Sequence, residues 1–176
     1  MNKFLRLTSL AATVAALALT AAPAQAASLV SATPVAKAKV KILKGLTLTS
    51  SSDLDFGTVV LSGAGAWSGD TVSVNLAGVQ ACTANLTCSG TTSAASYNVT
   101  GSNNAVVVVT VPASVTITNG VDNLTVTTTK SIGATVTMPN SGNTGIDFEV
   151  GGSITLASTT VDGFYQGDIN VTADYQ

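Results

Sequence analysis

Histidine is absent from the 176-residue sequence. That absence removes Ser-His-Asp triads, imidazole zinc sites and histidine pH switches from consideration. Charge is scarce as well: 9% of residues are charged, against about 25% in an ordinary soluble domain. A polyanion binder releases counterions through a dense Lys/Arg surface, and this chain has no such supply. Aromatic residues make up 5%, too few for a set of sugar-stacking platforms. No GxxxxGK[ST] phosphate loop occurs. Beyond residue 26 no apolar run reaches the roughly 20 residues that a membrane helix needs. What remains is rich in Thr, Val, Gly and Ala, a composition suited to exposed β-structure.

The first 26 residues read as a secretory leader. Lys3 and Arg6 form a basic start, an apolar stretch runs from Leu10 to about Ala22, and Ala24-Gln25-Ala26 is a small-x-small cleavage site. The apolar stretch is too short for an anchor, and no Cys follows the site as a lipoprotein would require. The expected mature chain, 27–176, keeps five Lys, no Arg and nine acids, a net charge of −4. Four of the five lysines, Lys37, Lys39, Lys41 and Lys44, sit together near its start. Charge is therefore split between a lysine-bearing N-terminal segment and an acidic remainder. Export also sets the redox expectation. Cys82 and Cys88 enclose a short loop, CTANLTC, and in an oxidising compartment they are expected to form a local disulfide. Their spacing is not that of a CxxC redox pair.

Alternation of apolar and polar residues predicts strands nearly everywhere. Expected strands include 53–59, 71–77, 95–101, 105–111, 115–118, 123–129, 135–138, 146–150 and 153–157, separated by turn sequences such as SGAG, TNGVDN, PNSGNTG and VGG. The run 105–111 is continuously apolar, as a strand buried on both faces would be. Short strands at this spacing predict a β-sandwich or barrel. Trp67 lies in a Gly/Ser loop expected to be exposed, with a packed anchor favoured over a ligand contact.

The two ends of the mature chain carry the most information. At the C-terminus Tyr165, Gly167, Ile169, Val171, Ala173 and Tyr175 alternate with polar residues, predicting a strand from 163 to the end of the chain. At the N-terminus Val30, Ala32, Pro34, Ala36 and Ala38 share one parity, opposite Lys37 and Lys39. Residues 27–52 extended at about 3.3 Å each would reach roughly 86 Å, enough for two strands. The second, about 39–49, is expected to open the domain. The first, about 28–38, has no partner within its own fold.

DLDFGTV, SAASYNVTG, IDFEVGGSITL and GFYQGDINVTADY, in that order, resemble the secreted bacterial family called domain of unknown function 4402. The same ends resemble subunits of chaperone–usher pili of the archaic, spore-coat-U-like branch. Those subunits share an alternating N-terminal extension, an LxFG-type strand, a Gly about fourteen from the end and a penultimate aromatic, here Gly163 and Tyr175. The resemblance implies an all-β, immunoglobulin-like antiparallel sandwich, 39–176, that lacks its final strand, with 27–38 as an N-terminal extension. It implies polymerisation by strand donation. Val30, Ala32, Ala36 and Ala38 are then donor-strand knobs, and Gly163, Tyr165, Ile169, Val171 and Tyr175 belong to the strand lining the acceptor groove. The implied partners are further copies of the chain, a periplasmic chaperone and an outer-membrane usher, with the filament on the cell surface. No cofactor and no catalysis are implied. Two features depart from the pilin pattern: the knobs are small, and the cysteine pair is a local staple, whereas many pilins link their first strand to a later one.

The other candidates read as structural. The lysine face suits a solvated or edge-protecting strand. Asp53 with Asp55, and Asp147 with Glu149, offer two carboxylates each, too few for a calcium site and without EF-hand spacing. Glu149 is the only Glu, which argues against a glycosidase pair. The alternative functional expectation is a monomeric secreted or surface sandwich that binds glycan or protein.

Overall fold

The computed structural model describes residues 28–140 and 144–176. The expected leader, 1–26, lies outside the described residues. The chain divides into two units, Met1–Val40 and Lys41–Gln176. In the first, residues 28–40 form no strand and are exposed.

The second unit is all-β. Its strands are β1 (Thr47–Ser52), β2 (Thr58–Leu61), β3 (Ser68–Val74), β4 (Gln80–Cys82), β5 (Leu86–Ser89), β6 (Ala95–Thr100), β7 (Val106–Thr110), β8 (Ser114–Thr118), β9 (Asn123–Lys130), β10 (Thr135–Thr137), β11 (Ile146–Ala157) and β12 (Thr172–Tyr175). No helix occurs among the described residues. Every pairing is antiparallel. One sheet has seven strands: β1, β6, β11, β3 and β4 in order, with β9 on β11 and β8 on β9. Two smaller sheets, β10-β7-β12 and β2-β5, complete the fold. The expected antiparallel β-sandwich is the architecture observed.

Two apolar clusters join the layers. In one, Ala95, Val99, Phe148 and Val150 of the large sheet pack with Val107 and Val109 of β7 and with Met138. In the other, Val72, Val115, Val126, Ile154 and Leu156 pack with Leu86 of β5 and, on β2, Val59 and Leu61. Leu54 and Ile169 touch both clusters. Tyr97 stacks on Phe148 with ring centroids 5.3 Å apart. The side chains are mid-sized and β-branched, which suits a thin two-layer core.

Several strands depart from the alternation pattern for identifiable reasons. The first strand begins at Thr47, not at 39. Side chains rather than a ladder capture the backbone at Lys44: its N–H donates to Ser102 Oγ at 2.5 Å, and its carbonyl accepts from Tyr175 Oη at 2.7 Å. The DLDFGTV run breaks at Gly57, whose φ is +66°. Asp55 Oδ1 accepts the Gly57 N–H at 2.7 Å, a side-chain turn that ends the run. Only Asp55 bridges, to Ser93, and β2 restarts at Thr58. Conversely, Gly151 and Gly152 do not end a strand. β11 runs through them because a Cβ on Gly151 would meet Val74 O at 2.6 Å; the glycines permit close packing and are not a turn. β7 alternates, with Val107 and Val109 buried and Val106 and Val108 half-buried. Neither β4 nor β5 is among the expected strands.

The C-terminal strand is also shorter than expected. Only 172–175 joins a ladder, on β7, with one bridge upstream from Gln166 to Thr118 of β8. Between Thr172↔Thr110 and Gln166↔Thr118, five residues face seven. The Val171 N–H turns back onto Ile169 O at 3.0 Å, a three-residue turn. The kink lies where the chain passes from the bridge with β8 to the ladder with β7.

Candidate functional site

The second unit carries a groove of about 1480 Å³. Pockets for small ligands fall near 300–1,000 Å³, so its size suits an extended chain segment better. Three elements line it. The β1–β2 connection and β2 contribute Leu54, Phe56, Val59 and Leu61. The large sheet contributes Val72, Val115, Val126, Ile154 and Leu156. The third element is the C-terminal segment before β12, with Gly163, Tyr165 and Ile169.

Local chemistry explains how the groove stays open. β2 is only four residues long and pairs with β5 alone. Gln80 Nε2 donates to Phe56 O at 2.5 Å and holds the connection before β2 in place. Opposite, Thr118 and Gln166 exchange both backbone bonds at 2.9 and 3.0 Å. Gly167 sits so near β8 that a Cβ there would meet Thr116 O at 2.4 Å. Gly163 has φ +148° and lies against Asn119, whose Nδ2 donates to Asp162 O at 3.2 Å. The C-terminal segment is thus fastened to β8 on one edge, and its other backbone edge joins no ladder.

The expected acceptor residues divide. Gly163, Tyr165 and Ile169 come together along the groove. Val171 and Tyr175 lie beyond the kink and pack with Ala95, Val107 and their neighbours in the first apolar cluster. Tyr175 Oη also accepts the Ser102 N–H at 2.7 Å. Val30, Ala32, Ala36 and Ala38 are exposed and join no strand. The lining from Leu54 to Leu61 and from β8 and β9 does not stand out in the sequence. Its apolar alternation reads as ordinary core, and only the missing cover distinguishes it.

The groove's charge is of one sign. Asp53, Asp55, Asp162 and Asp168 line it, and no Lys or Arg does. Desolvation raises the Tyr165 phenol above its ordinary pKa, and Asp122 and Asp162 push it further. Desolvation does the same for Tyr97, aided by Asp53.

Elsewhere the polar groups are engaged. Asp70 accepts from Thr83 Oγ1 at 2.6 Å and from Asn85 Nδ2 at 2.7 Å; those two bonds hold its carboxyl below the usual range. Cys82 and Cys88 form a disulfide with Cα atoms 6.4 Å apart. Trp67 is half-buried, and its Nε1 donates to Ser62 O at 3.2 Å, so the loop's aromatic is an anchor. A smaller hollow, about 420 Å³, lies beside Glu149, whose carboxylate accepts the Ser96 hydroxyl. Among the described residues no group of three His, Cys, Asp or Glu is placed to hold a metal.

No curated protein and no solved structure matches the chain. A family model matches residues 46–175, the whole span from β1 to β12. The chain belongs to the family described as Domain of unknown function (DUF4402).

Proposed function

We propose that the protein is an exported structural subunit of an extracellular filament, polymerising when the N-terminal segment of one copy fills the groove of the next. The observation that carries this reading is the groove itself. It is apolar at its base and flanked by β2 and the C-terminal segment, each with one unpaired backbone edge. An added strand satisfies such edges with main-chain bonds, and alternate side chains supply the fit. Residues 28–38 have the matching pattern, with Val30, Ala32, Ala36 and Ala38 on one parity. Donor and acceptor surfaces differ, so the contact is head-to-tail and need not close. In this reading the incomplete immunoglobulin-like sandwich is completed in trans, and a periplasmic chaperone and an usher handle the open groove before assembly.

The test is expression in the native periplasm, with surface fractions run on a denaturing gel with and without boiling, beside negative-stain microscopy. A heat-sensitive ladder and thin fibres that vanish when 28–38 is deleted support the reading. A single monomer band, or a ladder that survives the deletion, overturns it and favours a monomeric surface binder.

A further inference from the structure

The groove and the N-terminal segment are complementary in charge as well as in pattern. Asp53, Asp55, Asp162 and Asp168 line the groove without a single basic residue among them. Upstream, Lys37, Lys39 and Lys41 are exposed and lie within five residues of one another. Lys44, the fourth of the run, is tied by its backbone to Ser102 and Tyr175 of its own subunit. The fifth lysine outside the leader, Lys130, donates its Nζ to Val109 O at 2.8 Å. Three lysines therefore remain for a neighbour.

We infer that the acidic rim of the groove recognises the lysine run of an incoming copy, so that opposite charges guide residues 28–41 into place. This rests on the strand-exchange reading and adds the term that selects the occupant. Apolar alternation alone does not distinguish this donor from any other strand with small side chains. A groove lined by one sign of charge concentrates a partner of the opposite sign and speeds its capture. It also repels a segment bearing carboxylates, such as the C-terminal stretch with Asp162, Asp168 and Asp174. Alternation puts Lys37, Lys39 and Lys41 on the parity opposite Ala36 and Ala38. The alanines can then face the apolar base while the lysines face outward to the rim.

The experiment titrates a fluorescent peptide of residues 28–44 into the full mature chain and follows anisotropy at low and high salt. A second peptide carries Gln at 37, 39 and 41. A protein variant carries Asp53→Asn, Asp162→Asn and Asp168→Asn. Asp55 is spared because it caps the turn at Gly57. Thermal melting confirms that the variant is folded. The native pair should lose about tenfold in affinity between about 0.02 and 0.5 M salt, as screening shortens the reach of the charges. The glutamine peptide, and the native peptide on the asparagine variant, should bind more weakly with little salt dependence. Equal affinity and equal salt dependence for both peptides overturn the inference, as does failure of the native peptide to bind. The gel ladder separates the two claims. A ladder that forms at the native rate with Gln at all three lysines removes the charge assignment and leaves strand exchange standing. Charge-dependent peptide binding without any ladder does the reverse.

Discussion

Tyr175, the penultimate residue, donates its phenolic hydroxyl to the carbonyl of Lys44 at 2.7 Å, across 131 residues of chain. The same oxygen accepts the backbone N–H of Ser102. One side chain therefore joins the last strand, the approach to the first strand and the turn after β6. Tyr175→Phe keeps the ring but leaves the Ser102 N–H unpaired at a buried residue. An unsatisfied buried group costs about 1–3 kcal/mol, which for a chain of this length lowers Tm by roughly 2–12 °C. Calorimetry of the two proteins checks this.

Reduction of the Cys82–Cys88 bond should destabilise without unfolding. The bond closes a short loop, sequence separation 6, so its chain-entropy contribution is only about 2 kcal/mol. Both sulfurs also pack beside Leu86 and Val72, and the double Cys→Ser variant loses some of that apolar contact. Urea titrations with and without reductant should show a lower midpoint and a retained cooperative transition.

Gly167→Ala should detach the C-terminal segment from β8. The added methyl would lie 2.4 Å from Thr116 O, and backbone cannot give way as a flexible side chain can. Hydrogen exchange should quicken at the Gln166 and Thr118 amides, each of which donates to the other residue's carbonyl. The β12 amides, beyond the kink, should stay protected. Uniform quickening of both segments would contradict this division.

Asp70 gives a pH prediction. Its folded pKa lies below the ordinary carboxylate value because Thr83 and Asn85 donate to the charged form. A depressed folded pKa means that the stabilisation is fully present above the unfolded value, near 3.8, and is lost as pH falls through the folded one. Asp70→Asn should therefore flatten part of the acid limb of stability below about pH 4. An NMR titration of the Asp70 carboxyl should show the lowered midpoint directly.

Legibility in the sequence followed local periodicity. β9, β6 and both halves of β11 are readable because alternating Val, Ile and Phe need only one buried face. The continuity of β11 through Gly151 and Gly152 is not readable, since the reason is Val74 O approaching from another strand. The break at Gly57 depends on Asp55 folding back, and the kink before β12 depends on the register of a distant pair, Thr118 with Gln166. Part of the groove lining follows from the C-terminal alternation: Gly163, Tyr165 and Ile169 all line it. Val171 and Tyr175 have the same alternation and serve the closed core. Parity identifies which side chains point inward, but only the tertiary fold decides whether that inward face is covered. The same limit hides the wall formed by Phe56, Val59 and Leu61.

The most direct measurement places a photo-reactive p-benzoylphenylalanine at Val60, at the exposed edge of β2 beside the groove. Filaments are assembled from mixed isotopically light and heavy subunits, irradiated, and analysed by mass spectrometry. The account predicts cross-linked peptides that join position 60 of one isotope to residues 28–44 of the other. Cross-links confined to a single isotope, or none reaching 28–44, would contradict it.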